Sequence, residues 1–163
     1  ISTIGKEVTG HFVDVTASVS NFVPKPHTPY QWNGMQAREY FQWAHRYLKN
    51  RVRLRSVRVK CHDVERSMLE GVLTRGDRRI AGALLEAWQR GARLDAWDEH
   101  FQPERWWKTF EDLGIDPFEY SGRTRETSEV LPWDLINVKK GREYLEKEHG
   151  RALVQLTAMA GVT

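Results

Sequence analysis

The sequence predicts an α/β fold that opens on one or two extended segments and continues into a mostly helical part. Three observations predict it. Phe12, Val13, Val15, Ala17 and Val19, followed by Phe22 and Val23, form an apolar run close to the period of two that marks a β-strand. Pro24, Pro26 and Pro29 then stop that strand, because each fixes φ, removes an amide donor and pushes its predecessor into an extended conformation. From residue 63 onward the apolar residues recur mainly at helical spacing, so we divide the chain into residues 1–62 and a helical extension over residues 63–163.

Taken in order, residues 1–10 hold two glycines and little periodicity, and read as the frayed end of a connection. The strand over residues 12–23 leads into a stiff, non-helical loop that carries Lys25, His27, Thr28 and Gln31. In α/β folds, ligands bind at such strand exits; the other reading is an ordinary rigid connector. Asn33 suits an N-cap, and Met35, Tyr40, Phe41, Ala44, Tyr47 and Leu48 predict a helix lying on the sheet by its aromatic face. Residues 51–60 alternate basic and apolar residues and change face near Ser56, as two short extended pieces or a bulge do. Arg51, Arg53 and Arg55 suit phosphates, but the solvent face of an edge strand explains them more simply.

Asp63 is placed to cap a helix over residues 64–74, and Asp77 a second one whose apolar stripe is Ile80, Leu84, Leu85 and Trp88, ending at Gly91. Trp97, Phe101, Trp106, Trp107 and Phe110 are expected on short helices broken before Pro103 and at Gly114. Pro117 opens another turn, residues 121–130 form a polar loop, residues 131–136 re-enter the core, and residues 139–156 form a charged terminal helix.

At 163 residues and 40% hydrophobic composition the chain can bury a real core. No apolar run approaches the roughly 20 residues of a membrane span. Without a charged-then-apolar leader, a cytoplasmic location is expected, and a start at Ile1 suggests a piece of a longer protein. Lys and Arg number 25 against 22 Asp and Glu, a net charge of +3, which is weak grounds for nucleic acid. The histidines are dispersed without metal-ligand spacing, so no metal site is assigned. A serine-hydrolase elbow and a phosphate-cradling glycine loop are also absent.

The stretch Ser18-Val-Ser-Asn-Phe-Val-Pro-Lys-Pro-His-Thr-Pro-Tyr-Gln-Trp32 resembles the end of the catalytic barrel in a family of radical S-adenosylmethionine proteins. These are large bacterial iron–sulfur oxidoreductases that often carry a cobalamin-binding-type N-terminal domain. His62-Asp63, Ser67 to Gly71, Arg75-Gly-Asp-Arg-Arg79, Gly91 to Trp97, Gly114 to Pro117 and Leu131-Pro-Trp-Asp134 extend the resemblance through nearly the whole chain. The resemblance implies the closing strands of a partial (β/α) TIM-type barrel followed by the helical extension. It also implies S-adenosylmethionine and a 4Fe-4S cluster in the parent protein, with cobalamin as a further cofactor. The family's C-x-x-x-C-x-x-C motif is absent, and Cys61 is the only cysteine, so this piece alone is not expected to cleave S-adenosylmethionine.

Carried over to these positions, Ser20, Asn21, Phe22 and Val23 are candidates for contacts with the cofactor's adenosyl group. Lys25, His27, Glu70 and Arg75 are candidates for substrate contacts, and His62, Asp63 and Arg78 for catalysis. His62 and Asp63, with Glu70, Arg75, Asp77 and Arg78, suit an acid/base set at a strand–helix junction. The alternative is an ion-pair network in which Arg75, Arg78 and Arg79 pair Asp77 and Glu70. The competing classes are a non-enzymatic RNA-binding module, drawn from the arginine row, and a structural helical cap. The expected partners are the rest of the parent protein, S-adenosylmethionine and a substrate that includes RNA among its candidates.

Overall fold

The computed structural model describes residues 1–161, Ala160 by its backbone only. The described chain is mixed α/β and mostly helical, with one two-stranded parallel sheet. It divides into two compact units interleaved in sequence: Ile1–Phe22 with Gln36–Met68, and Val23–Met35 with Leu69–Thr163.

The first unit begins with α1 (Ser2–Thr9), where the sequence suggested only a frayed connection. Its stop signal is Gly10, whose φ of 82° is the left-handed conformation glycine adopts freely, and whose amide closes on the Lys6 carbonyl. The Ser2 hydroxyl donates to the Val13 carbonyl at 2.8 Å and shares a 2.7 Å hydrogen bond with Ser56. The strand itself, β1 (Val15–Val19), is shorter than the alternating run predicts. It pairs in parallel with β2 (Val57–Cys61), Val15 opposite Val57 and Val19 opposite Cys61. Between them runs α2 (Arg38–Arg51). Parallel neighbours need such a crossover because the chain must return to the same end of the sheet.

Two expectations for α2 are corrected. Its N-cap is Ala37, without a side-chain cap, while the Asn33 amide closes a turn on the Tyr30 carbonyl at 3.0 Å. Its aromatic face does not lie on the sheet. Phe41 is buried, but Tyr40, Trp43 and Tyr47 stay about half exposed. The reason is helical geometry: positions 40, 43 and 47 form one stripe, and residue 41 belongs to the next. On β2, Arg58 and Lys60 face solvent while Val57, Val59 and Cys61 are half-buried. Arg51 ends α2 and Arg53 and Arg55 precede the strand, so that row is not the solvent face of an edge strand as expected.

The helix α3 (Val64–Arg75) starts as predicted, with the Arg66 amide donating to Asp63 Oδ1 at 2.8 Å. In the second unit, α4 (Arg79–Gln89) follows a turn in which Asp77 Oδ1 accepts the Arg79 amide at 2.9 Å. Its buried face is Ile80, Ala83 and Ala87, while Leu84, Leu85 and Trp88 are exposed. The small alanines let α5 (Pro103–Asp112) approach closely, so volume rather than hydrophobicity selects the inner stripe. Leu69, Val72, Trp106, Phe110 and Tyr120 complete this core. Pro103 and Pro117 sit at helix starts, and Asp116 caps α6 (Pro117–Ser121) through the Phe118 amide. Trp97 lies in a turn rather than a helix and is 60% exposed.

A second core joins Trp32, Leu131, Trp133 and Leu145, the last from α7 (Gly141–Ala160). Leu131 and Trp133 re-enter the interior as predicted, but Leu135 and Ile136 do not. Gly34 passes so close to the 121–124 segment that a Cβ there would lie 1.9 Å from the Gly122 carbonyl oxygen, which leaves room for glycine alone. Among the described residues, no helix is long and apolar enough to cross a membrane.

Candidate functional site

Each unit holds its own cluster of polar side chains. In the first unit the cluster is built where β1 leaves the sheet. The His62 amide donates to the Val19 carbonyl at 2.9 Å, the last rung before the strand departs. Asn21 then turns its side chain inward. Its Nδ2 donates to Ser67 Oγ at 2.8 Å and approaches the His62 and Asp63 carbonyls at 3.4 Å. Its Oδ1 accepts from His45 Nε2 at 2.7 Å. Ser67 Oγ donates on to the Asp63 carbonyl at 2.8 Å. Asn21 is therefore held by α2, by the His62–Asp63 junction that follows β2 and by α3, and the orientation of the strand exit is fixed by all three.

His45 and Ser67 were not legible as site residues. Only the crossover of α2 and the return through β2 bring them to Asn21, from 24 and 46 residues away. His62 and Asp63 are exposed at this end of the sheet. The His62 main chain closes the ladder, and the Asp63 carboxylate caps α3. Ser20 is exposed and Phe22 is 50% exposed.

The environment of His45 lowers its pKa below 6.5, first through burial, then through Lys49, with the Asp63 carboxylate opposing. A base depressed in the folded state binds its proton more tightly when unfolded, so stability falls as pH drops from about 6.5 through the folded value. The expected result is a thermal midpoint that declines on acidification in this window, with a His45 ring titration by NMR lying below that of an exposed histidine. His45→Gln should remove this part of the decline. An ordinary or raised His45 titration would contradict the assignment.

In the second unit, Val23 begins the proline loop. Lys25 pairs with Glu70, so two of the predicted substrate residues neutralise each other. The Thr28 hydroxyl donates to the Lys25 carbonyl at 2.8 Å. His27 adopts φ 58°, unusual for a side-chain-bearing residue, and its amide donates to Gln31 Oε1 at 3.0 Å. The same oxygen accepts the Trp133 indole at 2.7 Å. A half-open pocket of about 180 Å³ lies here, bounded by His27, Gln31, Asn137, Leu145 and the Asp134–Arg142 ion pair. Arg142 is held firmly protonated, first by its hydrogen bond to Glu146, and also reaches the Thr127 and Glu129 carbonyls. The pocket thus offers an imidazole and an anchored guanidinium–carboxylate pair, a lining suited to a small polar ligand.

Arg75 is fully buried. Its Nη1 donates to the Ser121 carbonyl at 2.7 Å and its Nη2 to the Arg123 carbonyl at 2.9 Å, so reaching a substrate would mean giving up both. Arg78 is exposed. The ion-pair network read from the sequence forms only at Asp77, which chelates Arg79 at 2.8 Å and accepts from the Tyr120 hydroxyl at 3.2 Å. Hydrogen bonding from Arg79 holds the Asp77 carboxylate below its ordinary pKa.

The residues present do not fit an iron–sulfur cluster. Cys61 is a single half-buried thiol on β2, and among the described residues no group of three or more His, Cys, Asp or Glu converges as metal ligands. No protein-family model matches the chain, and neither a curated protein nor a solved structure matches it.

Proposed function

We propose that the chain is the C-terminal part of a radical S-adenosylmethionine protein, in which it closes a partial (β/α) barrel and supplies contacts to the adenosyl group. The observation that carries the reading is the β1–α2–β2 unit and the strand exit it braces. Parallel strands normally lie in larger sheets covered on both faces. Here Thr16, Ala17 and Ser18 in the middle of β1 are all exposed, as expected of a strand whose further neighbours come from elsewhere in a parent protein. The Ser18–Trp32 resemblance points to the same parent.

Within that frame Asn21 is a positioning residue. Its amide is consumed by His45 and Ser67 and serves to hold the main chain of residues 20–22 at the strand exit. Beyond Val19 that main chain has left the ladder, so its amides and carbonyls are the groups presented to an adenine edge. His62 and Asp63, exposed beside it, are the candidates for proton handling. Cluster ligation belongs to the remainder of the parent.

Hydrogen exchange on the parent protein, with and without S-adenosylmethionine, tests the assignment. The amides of Ser20 to Phe22 should slow by about tenfold or more when the cofactor binds, and Asn21→Ala should weaken both binding and protection. Cofactor binding that leaves these amides unchanged would contradict it.

A further inference from the structure

The first unit carries a surface that the strand exit does not use. Along α2, Tyr40, Trp43 and Tyr47 are 47%, 52% and 44% exposed and lie on one stripe. Trp43 and Tyr47 stack at 5.5 Å with an interplanar angle of 25°, and Tyr40 lies 5.8 Å from Trp43. The Arg51 guanidinium covers the far end of the row, 5.0 Å from the Tyr47 ring. From Tyr40 to Arg51 this ladder spans about 16 Å at helical rise. Beyond it the chain forms a shallow groove of about 260 Å³, floored by Val52, Leu54, Val57 and Val59 and rimmed by Lys49, Arg53 and Arg55.

The charge of this region differs from that of the molecule. Residues 36–60 contain eight lysines and arginines against one acidic residue, Glu39, while the rest of the chain is net acidic. Arg38 is committed to Glu65. Among the described residues Lys49, Arg53, Arg55, Arg58 and Lys60 are exposed and paired with no carboxylate. A protein partner would favour a contact face depleted of charge. Flat rings interleaved with unpaired cations suit bases and phosphates instead: every base has a face to stack, and every phosphate a charge to neutralise.

We infer that α2 and the segment following it bind single-stranded RNA, with bases stacked on the Tyr40–Trp43–Tyr47 ladder and the phosphate backbone running over Arg51, Arg53 and Arg55 into the groove. RNA rather than DNA follows from the ring rims. The Tyr40 and Tyr47 hydroxyls have no partner among the described residues, and with Asn50 they supply neutral hydrogen-bonding groups of the kind a ribose 2′-hydroxyl engages. The inference stands on this surface alone and does not depend on the radical S-adenosylmethionine reading.

The test is fluorescence anisotropy with the full 163-residue chain and a labelled uridine oligomer of about twelve nucleotides, at several salt concentrations. Saturable binding should weaken by about tenfold or more in Trp43→Ala and in Tyr47→Ala, both exposed enough to leave the fold unchanged by circular dichroism. Arg53→Gln and Arg55→Gln should each make the log–log salt slope shallower by about 0.7. The matching deoxyuridine oligomer and an RNA duplex should bind several-fold less tightly. Absence of binding, equal affinity for the deoxy strand or the duplex, or affinity unchanged by Trp43→Ala would each overturn the inference. So would anionic phospholipid vesicles that bind the chain through Trp43 while the RNA does not.

Discussion

Replacing Arg75 with alanine is expected to destabilise the second unit by about 3–5 kcal/mol, lowering the thermal midpoint by about 10 °C or more. The guanidinium is fully buried and stitches the end of α3 to the Ser121 and Arg123 carbonyls. Alanine leaves the Arg123 carbonyl without its donor and the Ser121 carbonyl with the Met35 amide alone, and it opens a cavity beneath them, costs that act together. Lysine should not rescue it, since a single ammonium lacks the planar fork that spans two acceptors. Burial, followed by the nearby charges of Arg125 and Arg123, lowers the Arg75 pKa to about 10. The folded state then sheds its proton before the unfolded state does, so the pH-dependent part of this group's contribution grows only as pH rises above about 10. Around neutrality both states keep the charge, and the loss in Arg75→Ala should be the same from pH 6 to pH 8. Urea unfolding followed by circular dichroism reads both features. A variant as stable as the original chain would show that the two carbonyls find other donors.

Trp32→Ala should cost a similar amount, about 3–5 kcal/mol. Trp32 is 0% exposed in the core that joins the proline loop to Leu131, Trp133 and Leu145, and its carbonyl accepts the Arg125 amide at 2.8 Å. Its ring also lies 5.2 Å from the His149 imidazole, so the loss reaches α7. Loss of α7 helicity before the remainder of the unit, seen by hydrogen exchange, is the expected signature. Trp43→Ala is the matched control: an exposed tryptophan should change stability by no more than about 0.5 kcal/mol. Equal effects from the two substitutions would contradict the placement of Trp32.

What the sequence made legible was local. The Asp63 cap, the prolines that open α5 and α6 and the glycine at position 91, whose φ is 94°, follow from backbone chemistry within a few residues, and they stand where expected. Extended segments on either side of one helix were legible too, and the structure pairs them in parallel through that crossover. Choosing the inner face of a helix was harder. On α2 and α4 the bulkiest residues point outward, because Phe41 on one and Ala83 and Ala87 on the other fit the space beneath them. Hydrophobic spacing ranks residues by transfer energy and cannot see the volume available. The candidate site divides in the same way. Asn21, His62 and Asp63 were visible at a strand exit, but His45 and Ser67 reach Asn21 only through the tertiary crossover. Arg75 gave no sign in its own sequence neighbourhood that carbonyls more than 40 residues away would claim it.

The central claim is that this chain completes a radical S-adenosylmethionine protein, and product analysis tests it most directly. The parent protein, expressed with its upstream sequence and reconstituted with iron and sulfide without oxygen, would be reduced in the presence of S-adenosylmethionine and assayed for 5′-deoxyadenosine. The account predicts an upstream C-x-x-x-C-x-x-C motif and reductive formation of 5′-deoxyadenosine, diminished about tenfold or more by Asn21→Ala. A complete protein without the cysteine triad, colourless after reconstitution and forming no 5′-deoxyadenosine, would contradict it.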